Sequence, residues 1–300
     1  MKPFIQKIIL GFLLLLVVYT ILLFIPISPN PGKKVLSADS TRIAHRCGRA
    51  IYPENTIFAC RKITEQGLVD FLEMDFHLTK DDVAVVIHDD TLDRTTNGKG
   101  KISDYSYSEL QTFDAGYHFS ADSGATFPYR NKNVKIDKLE SYFQNFPNYK
   151  FLIEVKPNSN KAADILLDLI RKYNMGERVL VGSFHQSVKD YLRSKNPSLG
   201  FYASTKEVII WTLLEKIGLS HLYNIPSDAL AVPKNMSILK VNESFVRSAK
   251  KQNLKILVWT INDQTDMVEL LNMGVDGIMT DDPKLLDSIY HNLKNGSPAN

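Results

Sequence analysis

The chain has 300 residues, 44% apolar and 23% charged, the balance of a folded globular protein rather than of a disordered or coiled-coil one. Its formal charge of +3 is small and no basic stripe is interleaved with aromatics, so nucleic acid is not an expected partner. The two cysteines, Cys47 and Cys60, are too few for a disulfide framework and lack the spacing of a zinc site, and both are expected as free thiols.

Residues 8–27, IILGFLLLLVVYTILLFIPI, carry no charge, and at ~1.5 Å per residue they can cross a hydrocarbon core of ~30 Å. The run is longer than the ~7–15 apolar residues of a signal peptide and no small-x-small site follows it, which favours an uncleaved single-pass anchor. Lys2, Lys7 and the amino group flank it on one side, Lys33, Lys34 and Arg42 more distantly on the other; the nearer flank favours a cytoplasmic N-terminus with the soluble domain outside. Pro26, Pro29, Pro31 and Gly32 then break the helix. The expected organisation is an anchor and linker over 1–40, one domain over 41–294 with an insertion at about 89–137, and a disordered tail over 295–300.

Within that domain, short β-branched or aromatic runs alternate with helix-like stretches, the pattern of a parallel sheet with crossover helices. Strands are expected at 42–46, 71–76, 83–88, 151–156, 179–184, 200–204, 229–232, 256–260 and 277–280. Helices are expected at 56–66, 162–173, 187–195, 243–251, 264–272 and 283–293, with Asn160, Ser187, Asn242 and Asp263 as caps. One barrel of about 250 residues fits this count, with nine candidates for eight strand places. Between Asp75 and Val83 there is no room for the dozen or more residues of a parallel crossover, so the barrel should be irregular around its second and third strands.

Residues suited to metal, proton and phosphate chemistry fall at the ends of these strands, which a barrel gathers into one mouth. His45 and Arg46 end the first. In FLEMDF, Glu73 and Asp75 are two apart and share a face. On an outer face they would be solvated charges; with Leu72, Met74 and Phe76 turned to the helices they point into the barrel, where a hard cation is the simplest way to relieve their repulsion. VAVVIHDD brings His88 to another strand end, and FLIEVKP adds Glu154 and Lys156 on one face. Glu73, Asp75 and Glu154 suit Ca2+ or Mg2+ better than zinc, with Lys156 beside them as a point charge for phosphate. Phe184 and Trp259, by residue type, are ordinary core aromatics; only their strand-end positions suggest more.

The successive segments HRCGRAIYPENT, LEMDFHLTKDDVAVVIHDDTLDRTTNGKG, FLIEVKP, VGSFH, VWTIND and GVDGIMTDDP resemble, in order, the motifs of the glycerophosphodiester phosphodiesterase family. The resemblance implies an α/β fold of the (β/α)8 TIM-barrel type and metal-dependent cleavage of a glycerophosphodiester into glycerol 3-phosphate and an alcohol, with the glycerol hydroxyl as internal nucleophile. It further implies His45 and His88 as general acid and base, Arg46 on the phosphate, and Glu73, Asp75 and Glu154 as ligands of one divalent cation. Lys156 and Trp259 would line the substrate pocket, joined by Phe184, and Glu54 and Asn55 would support the first-strand loop. One departure is Cys47, where the family usually has glycine directly after His-Arg. If that position takes a positive φ, a cysteine there is strained.

Two other functions compete. A lysophospholipase D or sphingomyelinase D-like enzyme shares the barrel and the histidine and carboxylate kit, and the inserted Tyr105, Tyr107, Tyr117, Phe119 and Tyr129 could wall its pocket. A non-catalytic, membrane-tethered binding barrel is disfavoured because no acidic or histidine position of the kit is missing. The expected partners are the substrate and the membrane, with no obligatory protein partner.

Overall fold

The computed structural model describes residues 2–37 and 41–295, so the expected tail beyond Asn295 lies outside the described residues. In chain order the strands are β1 (Thr41–Ala44), β2 (Phe71–Leu78), β3 (Ala84–Val86), β4 (Lys150–Val155), β5 (Val179–Gly182), β6 (Gly200–Phe201), β7 (Ala229–Pro233), β8 (Asn235–Met236), β9 (Leu239–Lys240), β10 (Lys255–Trp259) and β11 (Gly277–Thr280). Eight of them pair in the order β6-β5-β4-β2-β1-β11-β10-β7, and a parallel bridge from Tyr202 to Ala229 brings the two ends of that sheet together. The result is a nearly closed parallel barrel of the TIM type.

The irregularity falls where the short Asp75-to-Val83 connection requires it. β3 folds back antiparallel on the end of β2, with Phe76 opposite Val86, and stays outside the ring. With Val85 of β3, the segment after it gathers a small core of its own from Ile87, Leu92, Ile102, Leu110, Val134 and Ile136. β8 and β9 form a separate two-stranded hairpin.

The helices are α1 (Lys2–Leu23), α2 (Ile57–Glu65), α3 (Tyr107–Leu110), α4 (Leu139–Asn145), α5 (Asn160–Lys172), α6 (Gln186–Lys195), α7 (Thr205–Lys216), α8 (Glu243–Lys251), α9 (Gln264–Met273) and α10 (Pro283–Lys294). Asn242 and Asp263 cap α8 and α9 as expected, each accepting from a backbone N–H in the first turn. Two expected caps shift: Ser159 rather than Asn160 caps α5, and α6 begins after His185, so Ser187 lies inside it. The difference is one of local geometry, since the cap is the last residue with extended backbone before the helix.

Most of the core lies between strands and helices. A second set, Ile43, Phe71, Leu152, Leu180, Ala229, Leu257 and Met279, fills the barrel interior, and Val35 and Leu36 of the linker join it. Val35 abuts Gly200, the first residue of β6, so the linker closes the barrel at the N-terminal ends of its strands. The opposite end is left for the polar strand ends. α1 stands away from the barrel. Pro3–Leu23 has a mean hydropathy of 2.3 and is long and apolar enough to cross a membrane. Among the described residues its last turns touch the domain, where Tyr19 Oη donates to Ile217 O at 2.8 Å and His221 Nε2 lies 3.1 Å from Leu22 O.

Candidate active site

At the C-terminal ends of the strands is a cavity of about 350 Å³, lined by His45, Arg46, Glu73, Asp75, His88, Glu154, Lys156, Phe184 and Trp259 among others. These nine sequence candidates therefore meet in one place. Glu54 and Asn55 stand behind them: Glu54 Oε1 accepts from Arg46 Nη1 at 2.9 Å, and Asn55 Nδ2 donates to Asp75 Oδ2 at 3.2 Å.

Each histidine is held by a carboxylate. His45 follows β1, and its Nδ1 lies 2.5 Å from Asp281 Oδ1. Asp281 Oδ2 accepts from Asn262 Nδ2 at 2.9 Å. Burial works to raise the Asp281 carboxyl, but His45, Asn262 and Arg49 prevail and hold it below the usual range. A carboxylate on Nδ1 fixes the proton there and leaves Nε2 as the free nitrogen. His88 repeats the arrangement: its Nδ1 lies 2.7 Å from Asp89 Oδ1, and Arg94 clamps Asp89 from the other side at 2.7 Å. Burial, with help from the Lys156 and Arg46 charges, outweighs Asp75 and Asp89 and lowers the His88 pKa, favouring the neutral ring.

The floor is acidic. Pairing of β2 with β4 sets Asp75 opposite Glu154, and Lys156 Nζ lies 3.0 Å from both Asp75 Oδ1 and Glu154 Oε1. Burial and the Asp75 charge raise the Glu154 carboxyl to about 7, against the pull of Lys156. Glu73 is raised well above its ordinary value, by burial first and then by Asp75, although it accepts from the Arg46 backbone N–H at 2.7 Å. Burial opposes the Lys156 ammonium, yet Asp75 and Glu154 raise its pKa. Tyr202 lies over this floor, its hydroxyl pKa well raised by burial and by the three carboxylates; Gly182 makes room for it, since a Cβ there would fall 1.8 Å from the ring.

This donor set suits a hard cation. The carboxylates crowd one another, and the buried Asn55 Oδ1 beside Asp75 is an oxygen with no hydrogen-bond partner. The arrangement is not a ready cage: among the described residues no three His, Cys, Asp or Glu side chains converge at metal-holding spacing, and Lys156 spans two of the three carboxylates.

The loop after β1 takes consecutive left-handed residues, Arg46 (φ 48), Cys47 (φ 59) and Gly48 (φ 84), which turns the Arg46 backbone N–H toward Glu73. Cys47 thus occupies the positive φ at which a family glycine would be unstrained. The expectation of free thiols is overturned: the left-handed turn brings Cys47 to a Cα–Cα distance of 4.9 Å from Cys60 on α2, and the two form a disulfide. The expectation that the inserted aromatics wall the pocket also fails. Tyr105, Tyr107, Tyr117, Phe119 and Tyr129 do not line the cavity; Tyr105 packs on Phe113 and Tyr129 on Phe58 and Phe119. The insertion's contribution is instead Asp89 and Arg94, the latter also donating to Glu54 at 2.7 Å. Sequence reasoning missed Asp281, Asp89, Arg94 and Arg49, although all four lie within or beside the quoted motifs.

The family model of the glycerophosphoryl diester phosphodiesterase family matches residues 45–285. The chain belongs to this family. A glycerophosphodiester phosphodiesterase of Caldanaerobacter subterraneus subsp. tengcongensis is 33% identical over 250 residues, covering 81% of this chain and 95% of its own. A human lysophospholipase D is 26% identical over 276 residues, covering 85% and 87%. A solved Oleispira antarctica phosphodiesterase, in complex with the product sn-glycerol-3-phosphate, shares the fold with a TM-score of 0.69 at 23% identity, covering 83% of this chain and 96% of that one. The barrel is that of a phosphoric diester hydrolase.

Proposed function

We propose that the chain hydrolyses glycerophosphodiesters to glycerol 3-phosphate and an alcohol, with His45 and His88 as the proton carriers. The observation that carries this is the pairing of two histidines, each held at Nδ1 by a carboxylate, above an acidic floor with the cationic Arg46, Arg49 and Lys156 in the same cavity. Arg46 and Lys156 bring positive charge to the phosphate oxygens. One histidine takes the proton of the glycerol hydroxyl as its oxygen attacks phosphorus, and the other protonates the departing alcohol oxygen as the P–O bond breaks; water then opens the cyclic phosphate with the two roles reversed. Glu73, Asp75 and Glu154 would hold one divalent cation, Ca2+ or Mg2+, which when bound offsets the charge gathering on the phosphate oxygens. Phe184 and Trp259 bound the space for the glycerol carbons, and Glu54 and Asn55 keep Arg46 and Asp75 in place.

A second substrate class, a lysolipid, is favoured by the mouth of the cavity, where Phe184 is 62% and Met236 40% exposed. Residues 8–27 are proposed as an uncleaved single-pass anchor, with the N-terminus in the cytoplasm and the barrel outside. The Cys47–Cys60 bridge fits an oxidising, extracytoplasmic compartment.

Product analysis on glycerophosphocholine and lysophosphatidylcholine, with Ca2+ and Mg2+ compared after chelation, tests these readings. Release of glycerol 3-phosphate and choline supports the first. Activity confined to lysophosphatidylcholine replaces it with the second, and no turnover of either substrate leaves only a binding barrel.

A further inference from the structure

α7 differs from the other outer helices. On α5 and α8 the buried residues form one face, Ala162, Ala163, Leu166 and Ile170 on the first and Phe245, Val246 and Ala249 on the second. α7 buries Val208 and Trp211 in the same way, yet it also turns Ile209 and Leu213 outward, 39% and 49% exposed, followed one turn later by Ile217, the residue that caps its C-terminus, at 51%. The spacing i, i+4, i+8 sets these three on one face, and Ile210 and Leu214 widen the band along its flank. A helix that is apolar on both faces requires a second apolar surface.

The neighbours of α7 identify that surface. Its C-terminal end touches the last turns of α1: Tyr19 Oη bonds to Ile217 O, His221 contacts Leu22 O, and Leu23 lies 3.5 Å from where a Cβ of Gly218 would stand. Its N-terminal end, with Ser204, Thr205 and Val208, lines the cavity. The exposed band therefore runs from the point where α1 leaves the domain to the mouth of the site. Lys206 and Lys216, both exposed, stand at its two ends, where their ammonium groups can meet lipid phosphates.

We propose that the outward face of α7, through Ile209, Leu213 and Ile217, lies in the interface of the bilayer that α1 spans, which sets the mouth of the active site at the membrane surface. The proposal rests on the reading of α1 as an anchor. It deepens the proposed function by making a substrate with its headgroup at the bilayer surface, a lysolipid, directly accessible.

The test uses the full chain in vesicles of phosphatidylcholine and phosphatidylglycerol. A spin label on Leu213→Cys, with the native cysteines bridged, should be more accessible to oxygen and less accessible to a water-soluble nickel chelate than the same label on Asp168→Cys, on the outer face of α5. Ile209→Ser/Leu213→Ser/Ile217→Ser should lower hydrolysis of vesicle-borne lysophosphatidylcholine roughly tenfold while leaving glycerophosphocholine turnover unchanged. A Leu213 label as open to nickel as the Asp168 control overturns the proposal. So does a label shielded from both probes in a cross-linkable dimer, which would make the occupant a second copy. Flotation reads the anchor separately: a wild-type chain that does not float with the vesicles removes the anchor, and this proposal with it. Glycerophosphocholine turnover by the wild type reads the proposed activity independently of both.

Discussion

Asp281 and His45 are 236 residues apart in the chain, yet Asp281 Oδ1 lies 2.5 Å from His45 Nδ1 because β11 pairs with β1 in a register that sets Thr280 beside Ala44. The residue following each strand then meets its counterpart. If His45 is the proton carrier proposed above, Asp281 is its positioning residue: it holds the imidazole by Nδ1 and would steady the imidazolium formed when Nε2 takes a proton. Asp281→Asn keeps the shape but removes the charge, so kcat should fall about 10²-fold with KM little changed and with an altered pH profile. A purely structural role would instead lower stability and leave the pH profile where it was.

Glu54 carries a pH dependence. Burial alone would raise its carboxyl, but the Arg94 and Arg46 guanidinium groups outweigh that and hold it at about 2. A carboxyl whose folded pKa lies below its unfolded value of ~4.3 stabilises the fold above that value, by about 3 kcal/mol here, and the gain is lost as the pH falls toward 2. Glu54→Gln should therefore be less stable than wild type in urea at pH 7, with the gap closing between about pH 4 and pH 2. A gap that persists unchanged at pH 2 would mean that Glu54 acts through packing rather than charge.

Much of the barrel was legible because its strands are short apolar runs whose polar ends fall in register. The alternation in FLEMDF that turns Glu73 and Asp75 to one face is a local property, and it placed both in the cavity. α7 was not legible, since a segment apolar on both faces has no amphipathic period to detect. Asp281 and the pairing of Cys47 with Cys60 also escaped, for a different reason: one depends on strand register across the closed sheet, the other on three consecutive left-handed residues. The first links residues far apart in the chain, and the second is a backbone conformation that the residue types of Arg46 and Cys47 do not signal.

The bridge and the strain at Cys47 can be separated. Opening a loop of 13 residues by Cys60→Ser should cost about 3 kcal/mol on the chain-entropy account. Under reducing conditions that contribution is gone, and Cys47, at φ 59, is left with only its left-handed penalty. Cys47→Gly should then be more stable than reduced wild type by roughly 1 kcal/mol, read from urea midpoints with and without reductant. If Cys47→Gly is no better than reduced wild type, the loop is not strained at that position.

Gly182 is a packing test of the floor. A methyl group at this position would overlap the Tyr202 ring, which cannot retreat freely because it is half-buried, packed against the barrel interior beside Glu73, Asp75 and Glu154. Gly182→Ala should cost about 1–3 kcal/mol and lower kcat, since the ring must move against the acidic floor. Thermal unfolding checks the first effect and steady-state kinetics the second. Gly182→Ala/Tyr202→Phe should not recover stability, because the ring rather than the hydroxyl is in the way; recovery would locate the conflict at the oxygen.

The proposed division of labour between the carboxylates and the histidines predicts two different kinds of defect. Glu73→Gln, Asp75→Asn and Glu154→Gln keep each side chain's shape but withdraw one negative charge from the cation's ligands, so each should need more Ca2+ or Mg2+ for half-maximal activity and recover part of its rate when the ion is in excess. Asp75→Asn should be the most severe, because its carboxylate also pairs with Lys156 at 3.0 Å and accepts from Asn55 at 3.2 Å. His45→Ala and His88→Ala leave those ligands in place and remove a proton carrier, so cation affinity, read by calorimetry, should stay close to wild type while turnover falls ~10²–10⁴-fold. If excess cation restores the histidine variants as well as the carboxylate variants, or if wild type stays fully active after chelation, the assignment of ligands and proton carriers made for this cavity is wrong.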